Sequence, residues 1–211
     1  AWSAFAQTDL KRMFAYSSIN HLGYCLLGIF LAARLSTRTA DMDIERAAVL
    51  NGVVLQMFNH GLTAASLFCL LGWLEQRSGG LRCMADFGGL RKVAPVFCGL
   101  MGIATFASLG LPGLNGFVAE VQIFIGAFAI WPWLAALALL GLIVTAALFL
   151  GMLQRIFFGQ RPPVLDGFTD LTRTEIGILA ALLALVVLIG VWPAWLLDMI
   201  GAGAALTFGG G

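Results

Sequence analysis

Three side chains that could carry protons lie inside long apolar stretches of this sequence. Glu120 is the single charged residue of the 41-residue run 93–133, His60 lies near the middle of 47–74, and His21 lies near the middle of 13–35. A charge at bilayer depth costs at least about 2.5–3.5 kcal/mol, so it becomes neutral, pairs or lines a wet cavity. Imidazoles exchange protons near neutral pH. We therefore predict a proton-relay site, with a protonated structural acid as the alternative for Glu120.

Two polar stripes accompany the histidines. Their members follow i, i+3, i+4, i+7 spacing and fall on one helix face each: Gln56, Asn59, His60 and Thr63 in one run, and Ser17, Asn20, His21 and Tyr24 in the other. Such a stripe must face other helices or water, because lipid cannot satisfy its polar groups. The stripes predict a hydrated proton path. The alternative is interhelical hydrogen bonding worth about 0.6 kcal/mol per contact.

A helix break is predicted at 110–116, where Gly110, Pro112, Gly113 and Gly116 interrupt the apolar run 93–133. An unbroken helix of that length would measure about 60 Å, twice the bilayer core. Proline removes a backbone donor and glycine loosens the helix. Transporters place such discontinuous helices beside ion sites, so a break just before Glu120 supports the relay prediction.

The elements that must hold these residues are membrane spans. Of the 211 residues, 60% are hydrophobic and 11% are charged, and the mean hydropathy is +0.94. Soluble domains carry about 25% charged residues, so we exclude a soluble globular domain, a disordered chain and a nucleic-acid-binding protein. The four cysteines form no C-x-x-C pair and are predicted to pack as small hydrophobic residues, with no metal site.

The predicted fold is an all-α membrane bundle with five complete spans, one of them discontinuous, and the end of a sixth. The last two complete spans contain almost no polar residues and are predicted to face lipid. The predicted segments are 1–9 (end of a preceding span), 13–35, 47–74, 93–133 broken at 110–116, 134–153, then a linker from 161, the lipid-facing span 176–197 and a tail to 211.

The distribution of basic residues favours one discontinuous span over two spans in 93–133. With one span, nine Lys and Arg residues share one side of the membrane and three take the other; with two spans the split is six and six. Cytoplasmic loops carry the excess of basic residues. The loop 75–92 is therefore predicted in the cytoplasm and the C-terminus outside.

Three blocks of sequence resemble the antiporter-like membrane subunits of respiratory complex I. The first is Asp9–Arg12 (DLKR) with Ala15–Gly23 (AYSSINHLG), and the second is Gln56–Leu62 (QMFNHGL) followed by Ala64–Phe68. The third is Ser108–Gly113 (SLGLPG) followed by Gly116–Glu120 (GFVAE). The blocks are long and keep the family's order. The resemblance covers nearly the whole chain.

The resemblance carries further expectations. It implies fourteen spans in two inverted repeats, of which 10–160 would form the second repeat half. In the family, subunit M of proton-pumping NADH–quinone oxidoreductases carries Glu at the position that corresponds to Glu120. Its paralogues and the sodium/proton antiporter subunits usually carry Lys there, so in this respect the chain resembles subunit M. The resemblance implies no cofactor in this chain, with NADH, FMN, iron–sulfur clusters and quinone elsewhere in the complex. The expected partners are other membrane subunits, in a bacterial plasma membrane or, for a photosynthetic form, a thylakoid.

The leading functional hypothesis is a redox-driven proton-translocating subunit in which His60 passes protons toward Glu120, the exit group. His21 is the further relay residue. The alternatives are a cation/proton antiporter or membrane-hydrogenase subunit, and a passive membrane scaffold. Glu in place of Lys argues against the antiporter, and the polar stripes argue against the scaffold.

Overall fold

The computed structural model describes residues 1–35 and 43–208, and every regular element within those ranges is a helix. An isolated β-bridge joins Asp9 to Cys83. Three short 3-10 helices lie at Met84–Asp86, Leu90–Lys92 and Pro163–Leu165. The α-helices are α1 (Trp2–Phe5), α2 (Leu10–Leu35), α3 (Asp43–Arg77), α4 (Pro95–Ser108), α5 (Asn115–Ile130), α6 (Pro132–Phe157), α7 (Arg173–Val191) and α8 (Ala194–Phe208).

Among the described residues, four helices are long and apolar enough to cross a membrane: α2, α3, α6 and α7. The predicted discontinuous span is the pair α4 and α5, of 14 and 16 residues. At 1.5 Å per residue these measure about 21 and 24 Å, each short of a bilayer core of about 30 Å. The predicted all-α membrane bundle is confirmed. Residues 36–42 of the first predicted loop and 209–211 of the predicted tail lie outside the described ranges.

The break between α4 and α5 is built by a glycine-terminated helix end. Gly110 has φ +67°, and two backbone bonds close the last turn of α4: Gly110 N–H to the Ala107 carbonyl (3.3 Å) and Leu111 N–H to the Phe106 carbonyl (3.1 Å). This is the Schellman pattern, in which the residue after the cap takes the left-handed conformation that glycine allows. Pro112 follows the motif, where it prevents the helix from continuing.

The prediction of one lipid-facing span over 176–197 is wrong in two respects. The helix stops at Val191 and α8 begins at Ala194, because Pro193 cannot donate a hydrogen bond and forces the preceding Trp192 out of the helical conformation. One face of α7 is also buried in the bundle, through Leu179, Leu183, Val186 and Ile189. Pro132 acts in the same way between α5 and α6, which moves the predicted boundary at 133/134 to Trp131.

The end of the bundle that holds the basic loops is fixed by charged caps. The carboxylate of Asp170 accepts hydrogen bonds from the Val96 and Phe97 N–H groups, each at 2.9 Å, and so satisfies the first turn of α4. At the start of α7, Thr172 and Glu175 form a reciprocal capping box. Glu175 also pairs with Arg77 at the end of α3. These contacts tie the loop 158–172 to the ends of α3 and α4.

Four apolar clusters lie within the described residues, and the histidine positions lie between the two largest of them. The larger cluster lies toward the charged caps and includes Phe14, Leu70 and Phe97. The second includes Tyr24 and Val53. On α2, His21 lies between Phe14 of the larger cluster and Tyr24 of the second; on α3, His60 lies between Val53 of the second and Leu70 of the larger. The long helix α3 packs most extensively against α2 and α5, so these three helices position the site.

Candidate proton-relay site

The three predicted proton carriers converge, each from a different helix. The Nδ1 atom of His21 on α2 lies 3.5 Å from the Oε1 atom of Glu120 on α5. The His21 and His60 rings have centroids 5.5 Å apart at an interplanar angle of 33°, which brings in α3. We call His21, His60 and Glu120 the imidazole–carboxylate cluster. His21 stands beside both of the others, an order that differs from the direct step from His60 to Glu120 in the leading hypothesis.

Two members of the cluster, His21 and Glu120, are buried with poorly satisfied polar atoms, whereas His60 is partly exposed. The side chains of His21 and Glu120 are 2% and 5% exposed. Within the described residues, both ring nitrogens of His21 and the Oε1 atom of Glu120 have no hydrogen-bond partner. Most buried polar groups do have one, and an exception requires an explanation such as strain or function. The distance of 3.5 Å is beyond a good hydrogen bond but within reach of one after a small movement.

Two small cavities flank the histidines and share three residues: His21, His60 and Ser108. Each offers about 10 Å³ to the centre of a water molecule, which is close to the minimum for one water. The first cavity also touches Glu120 and the stripe on α3. The second touches Ser17 and Ser18. Both cavities are large enough for one water molecule beside the histidine pair, but the second is also lined by apolar side chains such as Phe14 and Phe68.

The stripe on α3 faces the cluster as one unit. Gln56, Asn59, His60 and Thr63 all line the first cavity, and Gln56, Asn59 and Thr63 are buried. Asn59 has a second contact that the spacing did not predict. Its Nδ2 donates to the Asn115 carbonyl at 2.7 Å, and Asn115 Nδ2 donates back to the Asn59 carbonyl at 3.4 Å. This reciprocal pair holds the start of α5 against α3.

The stripe on α2 divides between two environments. Ser17 and His21 line the cavities. Asn20 instead donates to the Tyr24 hydroxyl at 2.9 Å and to the Thr145 hydroxyl of α6 at 3.0 Å. The four residues therefore do not all face one path. Asn20 and Tyr24 form a satisfied contact with α6, which matches the alternative of interhelical hydrogen bonding.

The helix break lies directly against Glu120. A side-chain carbon at Gly110 would collide with the Oε2 atom of Glu120, and one at Gly116 would collide with the Ala107 carbonyl. Gly110 thus serves both the left-handed turn and the space for the carboxylate. Gly113 also has a positive φ, +91°, and α7 covers its carbonyl closely at Gly190. Pro112 is exposed.

The sequence analysis missed three residues that contact the cavities or the polar stripes: Ser108, Asn115 and Thr145. Ser108 and Asn115 lie at the two ends of the break, so their position beside it was the available signal. Thr145 lies in a uniformly apolar helix and is nevertheless 1% exposed. A lone threonine in a membrane span gives no pattern from which its partner Asn20 could be predicted.

Within the described residues, no group of three His, Cys, Asp or Glu side chains could hold a metal ion. The site as it stands offers two imidazoles, one carboxylate and two water-sized cavities. That chemistry suits proton exchange between neighbouring groups.

Residues 1–146 match the family described as NADH:quinone oxidoreductase/Mrp antiporter, transmembrane. The chain belongs to this family. It is 36% identical, over 200 residues, to the NADH-quinone oxidoreductase subunit M of Mycobacterium tuberculosis, covering 93% of this chain and 33% of that protein. The family assignment agrees with the resemblance seen in the three sequence blocks.

Solved structures give the same fold. Respiratory complex I from Thermus thermophilus with bound NADH contains a chain that matches with a TM-score of 0.82 and 33% identity, over 99% of this chain and 42% of that one. The Mrp complex from Dietzia matches with a TM-score of 0.82 at 19% identity, over 97% and 44%, which establishes a shared fold alone. This chain spans about a third of the length of its curated relative.

Proposed function

We propose that this chain is the C-terminal part of subunit M of a proton-translocating NADH–quinone oxidoreductase, and that its imidazole–carboxylate cluster relays protons. The observation that carries the proposal is the approach of His21 Nδ1 to Glu120 Oε1 at 3.5 Å, buried between three helices. Similarity to subunit M of Mycobacterium tuberculosis supports it. Glu at position 120 supports it further, since the resemblance associates this acid with subunit M.

The geometry supports an order of transfer from His60 to His21 to Glu120. The rings of the two histidines lie side by side, and the carboxylate faces the ring of His21 alone at ion-pair distance. Both histidines also border each cavity, so one water molecule in each could connect the rings to Ser17 or to Glu120. In this order His60 is the residue at which the proton enters the cluster, and Glu120 is the residue from which it leaves.

A change in the charge of the cluster is large enough to matter for pumping. Moving one charge across the membrane costs about 2.3 kcal/mol per 100 mV. A buried pair such as His21 and Glu120 interacts strongly because few water dipoles screen it. A conformational change that lengthens or shortens this pair could therefore capture and release a proton against the membrane potential.

The wider assignments follow from the same proposal. Redox cofactors and quinone belong to partner subunits, and this chain contributes no cofactor-binding residues. Its partners are neighbouring membrane subunits of the complex, in a bacterial plasma membrane or a thylakoid. Residues 10–160 form the second repeat half, and the loop 75–92 lies on the cytoplasmic side, which puts Glu120 in the outer half of its span.

Exchange of Glu120 tests the proposal in the assembled complex. Glu120→Gln keeps the shape and hydrogen-bonding capacity but removes the exchangeable proton, so we expect NADH-driven acidification of vesicles to fall at least tenfold. Glu120→Asp should retain part of the activity, because the proton remains but reaches one methylene less. Asp198→Asn is the matched control, since Asp198 is an exposed carboxylate on α8. Wild-type pumping by the Gln variant, at equal complex abundance, would leave Glu120 only a structural role.

A cation/proton antiporter is the second candidate, because the matched family also includes Mrp antiporters and the Mrp complex shares the fold. The same vesicles separate the two. A sodium gradient imposed without NADH should move no protons in a redox-driven pump. Sodium-driven proton movement that depends on Glu120 would favour the antiporter instead.

A further inference from the structure

A polar groove lies away from the imidazole–carboxylate cluster, at the end of the bundle formed by the loops 78–94 and 158–172 and the helix ends they join. We call this end of the bundle the charged end. The groove encloses about 480 Å³ between the loop that precedes α4 and the loop that follows α6. The residues that line it are Gly89, Lys92, Gly159, Gln160, Arg161 and Asp166. None of them takes part in the proposed relay.

The groove is held open by close packing of two backbones. A side-chain carbon at Gly88 would collide with the Gln160 carbonyl, and one at Gly89 would lie 2.9 Å from the Arg161 nitrogen. Gly89 N–H donates to the Phe158 carbonyl at 3.0 Å. Gly89 and Gly159 have φ values of +62° and +88°, which glycine alone adopts readily. The loops are thus fixed against each other before any ligand arrives.

The lining has a net positive charge. It contains the cations Lys92 and Arg161 and one acid, Asp166, whose carboxylate pairs with Arg161 at 3.0 Å. A third cation, Arg91, lies beside the groove with its guanidinium 5.4 Å from the centre of the Phe158 ring. Lys92 and Arg91 are exposed. An anion entering the groove would therefore meet cations from both loops.

Exposed apolar side chains border these cations. Phe158 is 48% exposed and Val164 is 65% exposed, and Phe158 directly follows the last residue of the membrane-spanning helix α6. A free inorganic anion gains nothing from such neighbours. A phospholipid places its phosphate and its acyl chains at this boundary, and basic pockets at the ends of membrane helices bind anionic head groups.

We propose that this groove binds the head group of an anionic phospholipid of the surrounding bilayer. Lys92 and Arg161 contact the phosphodiester, Arg91 stays over Phe158 and adds positive potential, and the acyl chains run along Phe158 and α6. The bound lipid would tie the loop 158–166 to the start of α4. The proposal concerns lipid attachment and does not depend on proton transfer.

Photo-crosslinking of the assembled, purified complex tests the site. The probe is a phosphatidylglycerol with a photoreactive head group, incorporated into vesicles, and crosslinks are mapped to peptides by mass spectrometry. We expect crosslinks on peptides that contain 88–96 or 158–166. The double variant Lys92→Gln with Arg161→Gln should lower them at least fivefold, because both direct cations are removed. Asp166→Asn should raise them, because it removes the only acid in the lining.

Three further measurements distinguish a lipid site from nonspecific attraction of anions. Arg12→Gln removes an exposed cation at the same end of the bundle that does not line the groove, and it should leave the crosslinks unchanged. A phosphatidylcholine probe with the same photoreactive group should label the two peptides at least fivefold less. Equal labelling by that probe, or labelling insensitive to the double variant, would overturn the proposal. Full competition by millimolar inorganic phosphate would also overturn it in favour of a free-anion site.

Discussion

The charged end and the imidazole–carboxylate cluster both contain acids beside basic side chains, but the acids are well paired only at the charged end. At the charged end, Glu175 pairs with Arg77 and also accepts from the backbone and hydroxyl of Thr172, while Glu75 lies near Lys11 and Arg82. In the cluster, Glu120 has one imidazole at 3.5 Å. Glu75 and Glu175 join α2, α3 and α7, whereas Glu120 joins α5 to α2 and the third helix, α3, contributes the ring of His60. Of these three acids, only Glu120 has a buried oxygen without a hydrogen-bond partner among the described residues.

The difference teaches where this protein is rigid and where it can change state. Paired and capped acids at the charged end hold the helices in one arrangement, and water at the boundary screens what remains. The cluster lies between two apolar clusters, where an unsatisfied polar atom is costly. Proteins tolerate that cost at functional sites. Paired acids thus stabilise one end of the bundle, whereas the buried atoms of His21 and Glu120 without hydrogen-bond partners lie in the middle.

Gly110→Ala should have the largest effect, because it damages the break and Glu120 together. An alanine at φ +67° costs about 1–2 kcal/mol of backbone strain, and its side chain would displace the Glu120 carboxylate. We expect at least a tenfold loss of pumping per assembled complex. Gly99→Ala is the control, since Gly99 in α4 has open space around it. Similar pumping by the two variants would show that the carboxylate is not positioned by Gly110.

Replacement of His21 should lower pumping more than replacement of His60. His21→Phe and His60→Phe keep a ring and remove the exchangeable proton. Loss of His21 should lower pumping roughly tenfold or more, because His21 faces Glu120. Loss of His60 should cost less, because the second cavity also joins Ser17 to His21 and offers a route around His60. Thr145→Val is the control, since it removes the hydrogen bonds of the hydroxyl with Asn20 and with the Gly141 carbonyl but leaves the three cluster residues in place. A larger loss at His60 would restore the direct step from His60 to Glu120.

Glu175→Gln should separate stability from function. It weakens the ion pair with Arg77, in which the Arg77 side chain is 12% exposed and the Glu175 side chain is 15% exposed. It also weakens the capping box of α7. Breaking a fully buried pair costs about 3–5 kcal/mol, and partial exposure reduces this to about 1–2 kcal/mol. The thermal midpoint of the complex should therefore fall. Pumping per intact complex should remain within twofold of wild type; a larger loss would tie the charged end to the relay.

Pro112→Ala should have the smallest effect. The Schellman closure at Gly110 already ends α4, and Pro112 is exposed. We expect the free energy of unfolding to change by about 0.5 kcal/mol or less, with pumping unchanged. A structure of this variant in which α4 and α5 join into one straight helix would show that the proline, and not the glycine, makes the break.

Much of the fold could be predicted because a bilayer imposes simple rules. Length, hydropathy and loop charge predicted the spans, and the glycine and proline residues at 110–116 predicted the break. The end of the last span was wrong because Pro193 lies within an apolar run that hydropathy alone reads as continuous. Lipid exposure of α7 was wrong in part, because apolar side chains pack equally well against lipid and against other helices.

The sequence by itself determined that Glu120, His60 and His21 lie within apolar helices, because each is a polar residue well inside a long apolar run. It also determined the break, because Gly110 supplies the left-handed residue that ends α4. Only the tertiary structure decided which residues meet. Spacing along one helix fixes a face but not the neighbour across it, so the contact of His21 with Glu120, the pairing of Asn59 with Asn115 and the turn of Asn20 toward Thr145 depend on how α2, α3, α5 and α6 pack.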